Sequence, residues 1–304
     1  MSYLSVQNIS RSYGPIKAVV DFSLEIDQGE IYSLVGPDGA GKTSLIRVLC
    51  HLIDADSGKM FVKGKDAFAG FESIKPLLGY MPQQFSLYLD LSVEENLRFY
   101  GGIFGMTGKA FQQKRDALYE FSALGPFAGR RAGALSGGMK QKLALSCALI
   151  HNPELLILDE PTTGVDPLSR RQFWETLLEL KRQGSTILVS TPYMDEVARA
   201  DRACFVFGGK KLSEGTPTEL AAHFEGQIFF ADVEPSSHLI AALNGISGIA
   251  ARRFGAGLHI YLKQDDRLEK YQAPLQSAGV ETEKLKTIPP ELEDRFIQLM
   301  ETAS

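Results

Sequence analysis

The chain has 304 residues, of which 44% are hydrophobic and 23% charged, with a formal net charge of −5. At roughly 150 residues per domain, this composition predicts about two globular domains and excludes a disordered or fibrous chain. No apolar run approaches the roughly 18 residues that span a bilayer, no charged-then-apolar leader opens the sequence, and the acidic balance argues against nucleic acid as a partner. Cys50, Cys147 and Cys204 are scattered without ligand spacing and read as reduced, small hydrophobes, and the histidines do not cluster.

In chain order, Tyr3–Ile9 and Phe22–Ile26 read as strands, the second alternating apolar and polar. A turn at Asp27–Glu30 leads into a buried-looking strand, Ile31–Val35. After the glycine-rich stretch Gly36–Gly41, apolar residues recur at helical spacing (Leu45, Ile46, Val48, Leu49, Leu52). From about Phe85 to Ala134 the pattern is helical and interrupted by glycines. Strands at Leu155–Leu158, Thr186–Val189 and Ala203–Phe207 then alternate with helices at Arg170–Lys181 and Asp195–Ala200. Strands separated by helices imply parallel pairing, hence an α/β class. A boundary is expected near Glu225–Gly226, giving domains at 1–225 and 226–304. The second reads strand Ile228–Val233, helix Ser237–Leu243, strands Ile249–Phe254 and Leu258–Leu262, helix Arg267–Gln276, strand Glu281–Leu285 and helix Glu291–Met300. That is a small α+β, ferredoxin-like order with an added helix.

Two stretches carry chemistry. Gly36-Pro37-Asp38-Gly39-Ala40-Gly41-Lys42-Thr43 fits G-x-x-x-x-G-K-[ST] between a predicted strand and a predicted helix, as that phosphate-binding loop requires. Its glycines let backbone N–H groups curl around phosphate oxygens at a helix N-terminus, Lys42 reaches the β/γ-phosphates, and the Thr43 hydroxyl holds Mg²⁺. Ser44 belongs with this nucleotide-binding set. Leu155–Leu158 then ends in Asp159-Glu160, acidic residues at the carboxyl end of a buried strand, where ligands bind in open α/β sheets. Asp159 would complete the Mg²⁺ shell, and Glu160 would orient or deprotonate an attacking water.

Leu135-Ser136-Gly137-Gly138-Met139-Lys140-Gln141, opening an apolar helix, matches a signature sequence. With it the first 225 or so residues resemble an ATP-binding cassette (ABC) nucleotide-binding domain. The implied fold is a P-loop NTPase cassette, a mixed sheet core with a helical subdomain at about 85–150. The resemblance implies ATP and Mg²⁺ as ligands and ATP hydrolysis coupled to transport. It also implies that Ser136, Gly137 and Gly138 close over the γ-phosphate held by a second cassette. Tyr13 resembles the aromatic residue that stacks on adenine. Gln83 resembles the glutamine that touches Mg²⁺ and relays to the membrane subunit, with Gln84 beside it. Asp166, in Gly164-Val165-Asp166-Pro167, resembles the aspartate that couples the two composite sites.

One position departs from the pattern. Ser190-Thr191-Pro192-Tyr193-Met194-Asp195-Glu196 puts Pro192 where the family carries a histidine that donates to the γ-phosphate. Proline has neither a side-chain donor nor a backbone N–H, and Thr191 is the nearest substitute. The reading that follows is a slow hydrolytic site whose intact signature serves a different cassette subunit, a heterodimer being favoured; a proline tolerated because other residues do the histidine's work stands as the alternative.

The apolar segment Phe85–Leu97, with Ser92 as its helix N-cap, is where the family docks an integral-membrane permease; Phe85 and Tyr88 are the candidate contacts, with local packing as the alternative. The expected location is the cytoplasmic face of the cell membrane. The second domain, through Pro290-Glu291-Leu292-Glu293-Asp294-Arg295-Phe296, resembles an appendage of some exporter-type cassettes, with a regulatory or dimer-stabilising role. The stretches Gly36–Gly39 and Met139-Lys140-Gln141-Lys142 resemble the N-terminal half of two-cassette exporter ATPases. The expected function is thus the ATPase subunit of an exporter. A non-transport ABC ATPase and a regulatory ATP-binding subunit with little hydrolysis stand as alternatives.

Overall fold

The computed structural model describes residues 2–84, 86–263 and 265–303. The chain divides into two units, Met1–Pro217 and Thr218–Ser304. In the first, β1 (Ser2–Tyr13), β2 (Ile16–Asp27), β4 (Ser57–Val62) and β5 (Lys65–Asp66) form an antiparallel sheet in the order β2-β1-β4-β5. The remaining strands are β3 (Ile31–Val35), β6 (Leu78–Met81), β7 (Leu155–Asp159), β8 (Thr186–Thr191), β9 (Arg202–Phe207) and β10 (Lys210–Gly215). They form a second sheet, β10-β9-β3-β8-β7-β6, parallel except at β10.

Every residue of β3, β7 and β8 is buried, because this sheet is covered on both faces. Alternate side chains serve opposite cores. Tyr32, Leu34, Leu155, Ile157 and Leu188 pack toward the antiparallel sheet and helix Lys42–Leu49. Ile31, Leu156, Leu158, Ile187 and Val189 pack toward helices Gly137–Leu149 and Pro167–Arg182. Continuous apolar runs, rather than alternating ones, therefore mark these strands. Their carboxyl ends all open on one edge, which is where Gly36, Glu160 and Pro192 follow.

The segment between β6 and β7 is helical, as its glycine-broken pattern predicts: Val93–Ile103, Gly108–Ser122 and Gly137–Leu149. Ser92 caps the first by a reciprocal box with Glu95, satisfying two otherwise orphaned N–H groups. Among the described residues, no helix is long and apolar enough to cross a membrane.

In the second unit, β11 (Gln227–Ala231), β12 (Ile249–Phe254), β13 (Gly257–Leu262) and β14 (Lys286–Ile288) form an antiparallel sheet ordered β12-β13-β11-β14, with helices Ser237–Asn244 and Gln272–Ser277 as crossovers. This is the ferredoxin-like arrangement. The strand expected at Glu281–Leu285 is instead a tight turn, Thr282–Lys284, and pairing begins only at Lys286. The preceding helix ends with Gly279 at φ +91° and Val280 donating back to Leu275, so the chain must still cross to the edge of β11. The terminal helix Leu292–Ala303 is tied down by Asp294, which accepts from the Tyr261 hydroxyl at 2.7 Å and lies 3.2 Å from His259 Nδ1.

Candidate functional site

The loop after β3 has no room for a side chain at Gly36 or Gly41. A Cβ on Gly36 would lie 2.1 Å from the Val206 carbonyl oxygen, and one on Gly41 2.2 Å from that of Ala18. Gly39 and Gly41 also take φ of +78° and +105°, where glycine is unstrained. The loop wraps the N-terminus of helix Lys42–Leu49 and borders a cleft of about 410 Å³ lined by Asp38, Gly39, Lys42, Thr43, Gln83 and Glu160, among others. Pro37, Ala40 and Ser44 continue the same loop and helix, and Ala40 and Ser44 also line the cleft. The Lys42 ammonium donates to the carbonyls of Gly36 (2.7 Å) and Pro37 (3.0 Å) and pairs with Glu160 Oε1 at 3.0 Å.

Asp159, at the end of β7, accepts from Thr43 Oγ1 at 3.2 Å and from Ser190 Oγ at 2.7 Å, both through Oδ1. Its other oxygen, Oδ2, is buried without a hydrogen-bond partner. Burial holds this carboxyl above the usual aspartate range, with the Glu160 charge adding to the effect. A buried, unsatisfied carboxylate oxygen beside a threonine hydroxyl fits a hard divalent cation, which here would be completed by phosphate oxygens and water. Magnesium needs only one or two protein carboxylates in such sites. The lack, among the described residues, of any larger cluster of metal-ligating side chains is consistent with that.

Glu160 has φ +46°, uncommon for a residue with a Cβ. Its N–H donates to Ser190 Oγ at 2.9 Å. Its Oε2 accepts from Gln83 Nε2 at 2.9 Å and from Thr163 Oγ1 at 3.2 Å. Gln83, rather than Gln84, thus reaches the acidic residue.

Lys42, Thr43, Gln83 and Glu160 line one cleft with Asp38, Gly39, Ala40, Gly41 and Ser44, and Asp159 is bonded to Thr43 beneath them; the remaining expected site residues lie apart. Tyr13, 40% exposed, ends β1 with the Arg11 guanidinium 5.2 Å from its ring centre, three residues before Ile16, which lines the cleft. Ser136 and Gly137 are exposed and do not line the cleft; Ser136 caps its own helix by accepting from Met139 N–H. Gly138 sits so close to Ser169 that a Cβ would fall 2.7 Å from its hydroxyl. Asp166 caps helix Pro167–Arg182 through the Ser169 N–H at 2.9 Å. Thr191 is no free donor. Its hydroxyl is given to Glu196 Oε2 at 2.6 Å, so the substitute expected beside Pro192 is already engaged.

Sequence reasoning missed Ser190, which reads as an ordinary buried strand residue yet bonds both Asp159 and Glu160. It also missed Glu196, whose buried carboxylate collects Thr162 (2.7 Å), Thr191 and Arg170 Nε (3.0 Å). The one available signal for Glu196 was an acidic residue on a short helix that packs inward.

A second hollow, about 450 Å³, lies between β6 and the helical segment and is predominantly apolar, lined by Phe71, Tyr80, Leu87, Tyr100, Ile103 and Phe104, among others. His151 stacks on Phe104 at 3.6 Å. Phe85 lies outside the described residues. Tyr88 does not line the hollow; it is half exposed and meets Phe99 edge-on at 4.7 Å.

Residues 19–163 match the family model described as ABC transporter. The chain is 38% identical over 286 residues to the probable multidrug ABC transporter ATP-binding protein YbhF of Escherichia coli, covering 93% of this chain but 49% of that protein. It therefore spans about half the length of that relative. It is 33% identical over 300 residues to the Nod factor export ATP-binding protein I of Rhizobium etli, covering 98% and 93% of the two chains. Among solved structures, an ATP-binding subunit of an ABC transporter matches with a TM-score of 0.65 at 29% identity, over 72% of this chain and 92% of that one. A cassette in its ADP conformation matches with a TM-score of 0.63 at 28% identity, over the same shares. With its loop, acidic strand end and signature in these positions, the chain belongs to the ATP-binding protein family of ABC transporters.

Proposed function

We propose that this chain binds ATP with Mg²⁺ in the cleft after β3, hydrolyses it in composite sites shared with a second cassette, and drives an integral-membrane permease in the export direction. The observation that carries this reading is the convergence of Lys42, Thr43, Gln83 and Glu160 on one cleft, with Asp159 bonded to Thr43. Backbone N–H groups of the glycine loop would hold the phosphates, with Lys42 at the β/γ-phosphates. Thr43 and Asp159 would hold Mg²⁺ together with Gln83. When bound, the cation supplies charge neutralisation on the phosphate oxygens.

Lys42 and Glu160 engage each other, and an incoming phosphate offers Lys42 a competing anion. Release from Lys42 leaves Glu160, steadied by Gln83 and Thr163, to accept a proton from an attacking water. Tyr13 would stack on the base beside Ile16. The exposure of Ser136 and Gly137 away from their own cleft supports a partner cassette, with Asp166 at the junction. Pro192 favours a heterodimer in which the partner carries the faster site. The apolar hollow beside Leu87 and Ile103 suits a permease helix and would place the chain at the cytoplasmic membrane face. The export-protein description of the Rhizobium etli relative supports the direction. Residues 226–304 would serve as an accessory, regulatory or dimer-stabilising module.

Steady-state hydrolysis tests the reading. Turnover should be slow but measurable in the wild type and lower by about 10²–10⁴ in Glu160→Gln, as for loss of a general base. Equal turnover in both would overturn it. Pro192 also favours a second reading, a regulatory subunit that binds ATP and does not turn it over; saturable binding with no hydrolysis would select it.

A further inference from the structure

Glu196 has no assigned task, yet it is 2% exposed and charged. Burying a carboxylate costs several kcal/mol unless its oxygens are well paired, and here both are. Oε1 accepts from Thr162 Oγ1 at 2.7 Å and Arg170 Nε at 3.0 Å, and Oε2 from Thr191 Oγ1 at 2.6 Å. These donors come from three separate places: the loop two residues beyond Glu160, helix Pro167–Arg182, and the end of β8 just before Pro192. Arg170 extends the junction, bonding Asp195 at 3.0 and 3.1 Å and lying 3.8 Å from the Tyr193 ring centre. The Tyr193 N–H closes it by donating to Thr191 Oγ1 at 3.1 Å.

Glu160 needs such a junction. A left-handed φ on a glutamate is strained and persists only where its surroundings over-determine it. Three bonds fix it locally: Ser190 to its N–H, the Thr163 N–H to its carbonyl at 3.2 Å, and the Thr163 hydroxyl to its carboxylate. Thr162, between Glu160 and Thr163, is anchored by Glu196. A proline at 192 contributes no donor, and the Thr191 hydroxyl beside it is engaged by this carboxylate.

We infer that Glu196 is a positioning residue: it clamps the loop after Glu160 and the segment around Pro192 into one unit, and through Thr162 it sets the geometry of Glu160. This rests on the ATPase reading only for its effect on rate. The clamp itself is a property of the fold.

The test compares the full chain with Glu196→Gln and with Thr191→Val, a smaller lesion that keeps the fold if the first does not. Backbone hydrogen exchange should speed up together at 160–166 and 190–196 by about tenfold or more, the signature of one cooperative unit, while 36–43 is unchanged. The turnover number should fall about tenfold or more with ATP affinity within about threefold, the pattern for loss of an arrangement needed only in the transition state. Loosening of only one segment, or retained turnover in both variants beside an active wild type, would overturn the clamp. A wild type without turnover would count against the ATPase reading, and the exchange data would still decide the clamp.

Discussion

The Lys42 ammonium stands 3.0 Å from a Glu160 carboxylate oxygen, and the two side chains are 3% and 4% exposed. Neither is left charged and alone in the low-dielectric cleft, which would be costly for a buried ion. The pair joins the phosphate-binding loop to the acidic end of β7. It also means the residue that would receive phosphate and the one that would activate water occupy each other until a ligand intervenes.

The loop itself tolerates little change. Gly41→Ala would put a Cβ 2.2 Å from the Ala18 carbonyl oxygen at a φ of +105°. Backbone strain of this kind costs about 1–3 kcal/mol, and relief requires the loop to move. Thermal unfolding should show a lowered midpoint, and titration with ATP should show weakened binding.

On the proposed function, Pro192 limits the intrinsic rate. A single oriented transition-state donor is worth about 10²–10³ in rate, so Pro192→His should raise hydrolysis by about tenfold or more with ATP affinity little altered. Brisk and equal turnover in the two proteins would show that the proline is no handicap.

The apolar hollow should be separable from the nucleotide cleft. Ile103 lines it and is 56% exposed, so Ile103→Glu places a charge in the hollow without opening the core. Co-purification with the permease should be lost while ATP binding stays as in the wild type. Retained co-purification would assign the hollow to local packing.

What the sequence made legible was contiguous. Gly36–Thr43 and Leu155–Glu160 each carry their chemistry in one short run, because a phosphate-binding turn and a buried strand ending in acids are local structures. Ser190 was hidden by its setting, since a polar residue in an apolar strand does not announce that it bonds the Asp159 carboxylate and the Glu160 backbone N–H at the neighbouring strand end. Glu196 was hidden by distance, as its partners lie 5, 26 and 34 positions away and meet only after the sheet is assembled. The Thr282–Lys284 turn was misread because Glu281-Thr282-Glu283-Lys284-Leu285 holds a single apolar residue and no period-2 alternation. So short a polar stretch does not tell a paired strand from a turn that buries one side chain, here Thr282.

The most direct measurement is calorimetric titration of the full chain with ATP in the presence of Mg²⁺, beside Lys42→Met. Saturable binding to the wild type, lost in the variant, is the predicted result. Absence of saturable binding, or equal binding by both proteins, would contradict it.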